Sequence, residues 1–361
     1  MINLIYLTVL AATITFISTP LVKKLAYKVN AIDIPKDDRR VHNTPIPRLG
    51  GLAIFIGFII SFTIYCFINY IIPDKSVIGV ILGGAVIICI GAIDDIKPLP
   101  AKYKLLGQIV AACILIISGI RIEYMTNFFR VGTIPFLSGE QIHFGIIAIP
   151  ITIFWVVGIT NAVNLIDGLD GLACGISAIA AMILAYVAFI KPELPDSQLT
   201  LIFALAIAGS CLGFLPYNFN PAKIFMGDTG SLFLGFMLSA ISINGFIKGP
   251  TIVAVMVPLF ALGLPIFDTA FAILRRKLQG KPVMEADKGH LHHRLLSLGL
   301  GQKRTVLVLY MISLLLGISV AMILNQNYIN SAVTLVITVA IVIVPINQTW
   351  MGEVKTKSKD K

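Results

Sequence analysis

Runs of apolar residues long enough to cross a membrane dominate this 361-residue sequence. A transmembrane helix needs about 20 predominantly apolar residues. Backbone polar groups in lipid have to be satisfied internally, so such runs fold as helices. We therefore predict an all-α fold, a polytopic membrane helical bundle with about eleven transmembrane helices. The predicted spans are 2–20, 49–72, 76–93, 105–120, 144–160, 172–190, 198–216, 230–247, 251–274, 305–324 and 330–347.

The composition supports this fold class. Hydrophobic residues make up 57% of the chain and charged residues 13%, against roughly 45–50% and about 25% in soluble domains. An ordinary soluble enzyme, a disordered chain and a fibrous repeat are therefore excluded. We predict one integral-membrane domain over 1–347 and a disordered basic tail over 348–361. The five cysteines lie in apolar stretches without zinc-site spacing and are interpreted as packing residues.

The basic residues predict the orientation. The first span is not a cleavable signal, because Lys23, Lys24 and Lys28 follow it instead of preceding it. If the loop after this span is cytoplasmic and the sides alternate, 23 of the 28 lysine and arginine residues are cytoplasmic. This agrees with the positive-inside rule. The net charge of +10 is thus assigned to the inner membrane face and not to nucleic acid binding. The outer segment 121–143 is too polar to span and is predicted to form a short hairpin.

The same alternation places every dense polar motif on the cytoplasmic side, which predicts one pocket built from five loops. Asp94 and Asp95 end a span in the motif ICIGAIDD. Acids at the carboxyl end of a helix oppose its dipole, so a cation should compensate them, either Lys104 or a metal. Adjacent helical residues point about 100° apart, so the two acids need not share a ligand.

Two further loops carry oxygen ligands. The motif NAVNLIDGLDGL spaces Asn161, Asn164, Asp167 and Asp170 three residues apart. Such donors at membrane depth favour a cation, and Mg²⁺ or Mn²⁺ prefers oxygen ligands. The motif FMGDTGS places Asp228 at the start of a span, where we interpret it as a metal ligand. For a nucleotide base, Phe225 could supply a ring face and Asn218 an amide.

The fifth loop contains the motif HLHHR. Its residues are suited to hydrogen bonds with phosphate or sugar oxygens, and they are His290, His292, His293 and Arg294. Zinc is disfavoured because the cytoplasmic loops contain no cysteine and no HExxH motif. Asp268 lies inside an apolar span, where an acid is either a structural polar contact or a functional group.

Together the motifs DDIKPLPAKYK, NAVNLIDGLDGL, FMGDTGS and HLHHR resemble the polyprenyl-phosphate N-acetylhexosamine-1-phosphate transferases, over about residues 1–325. The chain is most similar to the WecA/TagO type. The MraY branch uses UDP-MurNAc-pentapeptide and carries three consecutive histidines, whereas Leu291 interrupts the run here. The first loop departs from the family pattern in the spacing between Pro35 and the Arg39–Arg40 pair.

The resemblance implies transfer of GlcNAc-1-phosphate from UDP-GlcNAc to undecaprenyl phosphate in the cell membrane, with release of UMP and with Mg²⁺ or Mn²⁺ as cofactor. It implies membrane lipid as a further partner and no nucleic acid, and it leaves a homodimer open. It implies that Asp228 and Asn164 bind the metal and that Asp94 and Asp95 are an essential acid pair. Pyrophosphate and sugar contacts are implied for Lys104, His290, His292, His293 and Arg294. Phe225 would stack on uracil, and further substrate contacts would come from Asn161, Asp167, Asp170 and Asn218.

Two mechanisms and two other functions stay open at this point. Direct attack of the lipid phosphate on the β-phosphorus is favoured, because two anions need mainly positioning and charge neutralisation. The competing mechanism forms a phospho-aspartate on Asp94 or Asp95. The alternative functions are an MraY-like transferase and a secondary transporter with an acidic ion site.

Overall fold

A computed structural model describes residues 2–34, 44–126, 141–194, 196–247, 252–278, 280 and 290–359. About 79% of the described residues are helical. The helices are α1 (Ile2–Lys28), α2 (Gly50–Ile68), α3 (Lys75–Ile96), α4 (Ala101–Ile117), α5 (Ala148–Leu165), α6 (Leu172–Ile190), α7 (Ser197–Asn218), α8 (Gly227–Ser242), α9 (Ile252–Ala261), α10 (Gly263–Leu278), α11 (Leu291–Ser297), α12 (Gln302–Leu324) and α13 (Tyr328–Lys359).

The mostly helical, polytopic bundle agrees with the predicted fold class. Among the described residues, seven helices are long and apolar enough to cross a membrane, namely α1, α2, α3, α5 with its preceding turn, α6, α7 and α12. The other predicted spans correspond to helices that are shorter, interrupted or, as in α13, apolar only over Tyr328–Ile343, so the count of eleven stays a prediction. Helix α13 continues into the predicted tail as far as Lys359, and the domain boundary at residue 347 stays a prediction.

The predicted span 251–274 is wrong as one continuous helix. Helix α9 ends at Ala261 and α10 begins at Gly263, with Leu262 between them. Pro265 lacks the backbone N–H that would bond one turn back, so the helix is locally weakened there. The interruption lies between the first half of the predicted span and the second half, which carries Asp268.

Helix α8 lies at the centre of the bundle. Every residue from Thr229 to Ser242 is buried, and α8 contacts α2, α3, α5, α6 and α7. A helix that is buried on all sides has its axis and its ends fixed by its neighbours. The amino end of α8, which carries Asp228, is therefore held in a defined position.

Two small antiparallel strand pairs complete the described fold. Strand β1 (Ile32–Asp33) pairs with β2 (Ile46–Pro47), and β3 (Tyr124–Thr126) pairs with β4 (Gln141–His143). The second pair is the hairpin predicted within 121–143. Of the cysteines, Cys66, Cys174 and Cys211 are buried, as packing residues should be, whereas Cys89 is exposed.

Candidate active site

The predicted motifs meet at one end of the bundle. Helices α3, α5 and α7 end there, and α4, α6 and α8 begin there. We call this the polar end, and we call Asp94, Asp95 and Asp228 the acidic cluster. One carboxylate oxygen from each of these three residues lies within 4.8 Å of the others.

Asp95 joins α3 to the start of α8. Its Oδ1 accepts hydrogen bonds from the Asp228 backbone N–H (3.0 Å) and from Arg48 Nε (3.1 Å). Its Oδ2 accepts from the backbone N–H (3.0 Å) and the hydroxyl (2.6 Å) of Thr229. The first N–H groups of a helix have no partner inside the helix and attract negative charge. Asp95 therefore caps α8, and its side chain is completely buried.

Arg48 supplies the charge that balances Asp95. Its Nη2 lies 3.0 Å from Asp95 Oδ1, and its Nη1 lies 3.6 Å from Asp33 Oδ1. Burial alone would lower the pKa of Arg48, but the neighbouring carboxylates outweigh burial and raise it above its usual value. The compensating cation for Asp95 is thus Arg48, which the sequence analysis did not identify.

Lys104 lies between the other two acids. Its ammonium group is 2.9 Å from Asp228 Oδ2 and 3.5 Å from Asp94 Oδ2. The second oxygen of Asp94 accepts a hydrogen bond from the Leu99 backbone N–H at 2.8 Å. The adjacent acids Asp94 and Asp95 therefore have different partners, as their angular separation on the helix predicts.

Helix α5 brings Asn164 to the acidic cluster. Its amide Nδ2 donates to Asp228 Oδ1 (3.2 Å) and to Ser231 Oγ (2.8 Å). Asn161, one turn earlier, instead forms an amide pair with Gln108 of α4, with Nδ2 to Oε1 at 2.6 Å. Asn164 is thus part of the cluster, whereas Asn161 connects α4 and α5 beside it.

The loop between α5 and α6 carries two acids in different surroundings. Asp170 Oδ2 accepts from Asn220 Nδ2 (2.9 Å) and from the Ala222 backbone N–H (3.0 Å). For Asp167, no side-chain hydrogen bond is found among the described residues. Burial, followed by the charges of Asp228, Asp95 and Asp170, raises the pKa of Asp167 to about 8. Asp170 therefore holds the loop after α7, and the raised pKa keeps Asp167 protonated near neutral pH.

The segment before α8 is attached to the first loop. Phe225 donates its backbone N–H to Pro47 O (2.8 Å) and accepts from the Gly50 N–H (2.9 Å). Asn218 Nδ2 donates to Ile224 O at 3.1 Å, while its Oδ1 is buried without a partner among the described residues. Phe225 and Asn218 thus belong to one short connection that runs into Asp228.

Backbone contact between helices tightens this region. The Gly51 N–H donates to Met226 O at 2.9 Å, and a Cβ atom on Gly51 would overlap the backbone of Gly230. A Cβ atom on Gly91 of α3 would likewise meet the backbone of Thr229. Helices α2 and α3 therefore touch the first turn of α8 directly, without intervening side chains.

The histidine segment, His290–Arg294, completes the polar end. The ring nitrogen His292 Nε2 would lie 2.6 Å from a Cβ atom on Gly168, so His292 packs on the loop that carries Asp167. Burial lowers the pKa of His292 to about 3. The ring of His293 lies 4.2 Å from that of His292, and His290 Nδ1 lies 2.9 Å from Asp268 Oδ2. Asp268 is thus in contact with the site's fifth loop.

An apolar cavity of about 590 Å³ adjoins the histidine segment. Helices α9, α10, α12 and α13 form most of its wall, with Phe267, Leu316 and Val339 among the lining residues. Arg294 and Asp268 reach its edge, and the Arg294 guanidinium lies 5.6 Å from the centre of the Phe271 ring. The cavity therefore has an apolar interior and charged groups at one side.

Only some residues of the acidic cluster have oxygen atoms that could bind a hard divalent cation. Both oxygens of Asp95 are committed to α8 and Arg48. Asp94 and Asp228 each direct an oxygen toward Lys104, and the Asn164 amide adjoins Asp228. Carboxylate and amide oxygens are ligands that Mg²⁺ and Mn²⁺ accept. Asp228, Asp94 and Asn164 are the residues that fit such an ion.

Three residues of this site were not among the predicted site residues. Arg48, Thr229 and Asn220 each make contacts that shape the polar end. The sequence signal for Arg48 was its position two residues before a pair of glycines, at the end of a polar loop. Arg39 and Arg40 lie outside the described residues.

Known proteins match this chain over most of its length. The model of glycosyl transferase family 4 matches residues 77–246. A Bacillus subtilis protein described as a probable undecaprenyl-phosphate N-acetylglucosaminyl 1-phosphate transferase is 41% identical over 88% of this chain and 84% of its own length. A decaprenyl-phosphate N-acetylglucosaminephosphotransferase of Mycobacterium leprae is 36% identical, over 83% of this chain and 79% of its own.

A more distant relative represents the other branch. The phospho-N-acetylmuramoyl-pentapeptide-transferase of Staphylococcus saprophyticus is 33% identical, over 86% of this chain and 96% of its own length. The transporter hypothesis is set aside, because these relatives are transferases and align with nearly the whole chain. The chain belongs to glycosyl transferase family 4 and, within it, to the polyprenyl-phosphate N-acetylhexosamine-1-phosphate transferases.

Proposed function

We propose that this protein transfers GlcNAc-1-phosphate from UDP-GlcNAc to undecaprenyl phosphate at the cytoplasmic face of the cell membrane and releases UMP. The observation that carries this proposal is the arrangement of Lys104 between Asp94 and Asp228 at the end of a membrane bundle. A cation flanked by oxygen donors suits two phosphates that have to meet despite their charges. The similarity to the Bacillus subtilis protein supports the choice of donor and acceptor.

The reaction is a phosphoryl transfer between two anions. An oxygen of the lipid phosphate attacks the β-phosphorus of UDP-GlcNAc, and a new P–O bond forms. The bond from the β-phosphorus to the bridging oxygen breaks, and its electron pair leaves on the α-phosphate of UMP. The lipid phosphate is already an anion near neutral pH, so positioning and charge neutralisation dominate catalysis.

The protein supplies this neutralisation through Lys104 and the histidine segment. In the proposal Lys104 leaves its carboxylate partners to contact the pyrophosphate, and Arg294 adds a second positive charge. Asp228, Asp94 and Asn164 would hold Mg²⁺ or Mn²⁺. When bound, such an ion supplies positive charge for the pyrophosphate oxygens.

The contacts of Asp95 argue against a covalent route through that residue. A nucleophilic carboxylate needs an oxygen with access to the phosphorus. The Asp95 side chain is completely buried, and each of its oxygens accepts at least two hydrogen bonds. Asp94 is the more accessible acid, but any carboxylate attack would bring a third anion to the pyrophosphate. Direct attack by the lipid phosphate is therefore the proposed mechanism.

The connection before α8 suits the nucleoside. The buried Asn218 Oδ1 has no partner among the described residues, and it would accept from the N–H of uracil. Phe225, partly exposed next to it, offers a ring face for stacking. Asp170 shapes this pocket indirectly by holding Asn220 and Ala222.

The apolar cavity beside the histidine segment supports a lipid acceptor. It has room for part of an isoprenoid chain, and Arg294 at its edge is complementary to a phosphate head group. An acceptor with its chain in this cavity would not have to leave the membrane.

A donor panel tests the proposed substrate. Purified protein in detergent is mixed with undecaprenyl phosphate, Mg²⁺ and either UDP-GlcNAc or UDP-MurNAc-pentapeptide, and UMP is measured. We expect UMP from UDP-GlcNAc only. Turnover of the pentapeptide donor alone would assign the chain to the function of its Staphylococcus relative.

Omission of the lipid tests the mechanism. In direct attack, delipidated enzyme releases no UMP from UDP-GlcNAc and does not exchange labelled UMP into it. A phospho-aspartate route allows both reactions without lipid. Residual copurified undecaprenyl phosphate is quantified first, because it would imitate the covalent route.

Sided labelling tests the cytoplasmic placement. In a cysteine-free background, Lys288→Cys and Leu137→Cys introduce single thiols into two loops that lie outside the described residues. A membrane-impermeant maleimide should label only position 137 in intact cells and both positions after lysis. Labelling of both positions in intact cells contradicts the orientation.

A further inference from the structure

Asp268 is a buried acid away from the acidic cluster, and both of its carboxylate oxygens are used. Oδ2 lies 2.9 Å from His290 Nδ1, and Oδ1 accepts from the Leu291 backbone N–H at 2.9 Å. The side chains of Asp268 and His290 are only 7% and 8% exposed. One carboxylate on α10 therefore holds both the ring of His290 and the first backbone N–H of α11.

The first of these contacts determines the protonation pattern of the ring. A carboxylate can only accept a hydrogen bond, so Nδ1 of His290 has to carry the proton. The ring plane is held as well, because it stacks on His292 at 5.8 Å between centroids and 4° between planes. No described side chain bonds to Nε2 of His290. The ring thus has one nitrogen held by Asp268 and the other available.

We propose that Asp268 is a positioning residue, which holds His290 in the Nδ1–H form so that Nε2 meets the nucleotide sugar. This inference rests on the proposed function. Orientation of a histidine by a carboxylate on its far nitrogen is a general device at metal and catalytic sites. The alternative role for Asp268 is to cap α11 through the Leu291 N–H and nothing more.

Asp268→Asn separates these two roles. The Asn Oδ1 still accepts from the Leu291 N–H, so the cap on α11 is kept. The Asn amide NH₂ then faces His290 Nδ1 as a donor, which moves the ring proton to Nε2. We expect kcat/KM for UDP-GlcNAc to fall about 10- to 100-fold, the usual effect of losing such a partner, while the apparent Tm in detergent stays near that of the wild type.

Rescue by the longer acid distinguishes chemistry from packing. Asp268→Glu changes the shape more than Asp268→Asn does, but it keeps an acceptor for Nδ1. We expect Asp268→Glu to retain more activity than Asp268→Asn. The matched control is Asp74→Asn. Asp74 accepts a hydrogen bond from the Val77 N–H at 2.9 Å as the N-cap of α3, at the opposite end of α3 from Asp94 and Asp95. This control should leave kcat/KM unchanged.

A double-mutant cycle completes the test. If Asp268 acts through His290, then Asp268→Asn adds little to the loss caused by His290→Gln. Additive losses, an Asp268→Asn variant as active as the wild type, or one that fails to fold would each overturn the proposal in favour of a structural role. All variants are compared with wild-type protein that releases UMP from UDP-GlcNAc, so failure of the wild type would count against the proposed function instead.

Discussion

The junction of α3 with α8 and the loop between α5 and α6 both carry acids at the polar end, but the surroundings of these acids differ. At the junction, each carboxylate oxygen of Asp95 accepts two hydrogen bonds, and Arg48 balances its negative charge. In the loop, Asp167 has no side-chain hydrogen bond among the described residues, and the nearby acids Asp228, Asp95 and Asp170 outweigh Arg48 in their effect on its pKa. A carboxylate with all its hydrogen bonds made stabilises the fold, whereas a carboxyl that stays protonated near neutral pH becomes an anion only when a bound cation favours its ionised form.

Loss of charge at Asp228, which bonds to Asp95 and whose charge raises the pKa of Asp167, should have the largest effect. Asp228→Asn keeps the backbone N–H that Asp95 accepts but removes the anion beside Lys104. We expect kcat to fall by at least about 10²–10³-fold, with a near-normal Tm. UMP release is measured at saturating Mg²⁺. A rate close to that of the wild type would show that no charged group is needed at this position.

The two adjacent acids should divide between stability and activity. Asp95→Asn takes from Arg48 its nearest carboxylate and turns an amide donor toward the N–H groups around the completely buried position 95, so we expect about 3–5 kcal/mol of destabilisation. Asp94→Asn keeps an acceptor for the Leu99 N–H, so it should lower kcat with little effect on Tm. Thermal unfolding in detergent and UMP release are measured for both variants. Equal loss of Tm would contradict this division.

The pH dependence of stability should report Asp167. The unfolded chain releases this proton near pH 4, whereas the folded protein, with a pKa of about 8, retains it. Because the native state binds more protons between these values, stability falls as pH rises from about 4 to 8. In EDTA, wild-type Tm should fall over this range, and Asp167→Asn should flatten the slope. Identical slopes for the two proteins would exclude Asp167 as the source.

The effect of added Mg²⁺ on Tm gives a second test of Asp167. Binding of a cation near Asp167 favours the ionised form, so it should release a proton. Added Mg²⁺ should therefore raise the wild-type Tm more at pH 8.5 than at pH 6. The difference should shrink in Asp167→Asn.

The sequence allowed prediction of the polar motifs and their shared side, but not of their pairings. Parity of the spans placed Asp94, Lys104 and Asp228 together, because side assignment needs only the number of crossings. The partner of Asp95 could not be predicted, since Arg48 is 47 residues away and approaches through a strand pair of two residues each. The role of Asp268 was left open for the same reason, as the path of the chain between α10 and His290 is not encoded in a local pattern.

The break between α9 and α10 shows a different limit. Hydropathy is nearly continuous over 251–274, so the pattern predicts one helix, and only the prolines signal the interruption. Proline is tolerated in membrane helices where neighbours satisfy the freed groups, so its presence alone does not predict a break.

The glycine contacts at the start of α8 limit how this sequence can change over time. A side chain at Gly51 or Gly91 meets the backbone of Gly230 or Thr229, so no second substitution can make room for it. At Gly107 of α4, by contrast, a Cβ atom meets the tip of the Ile90 side chain, which Ile90→Val would shorten. The α3–α4 contact can therefore change through paired substitutions. The contacts of α2 and α3 with α8 cannot, because no second substitution compensates for a side chain that meets backbone.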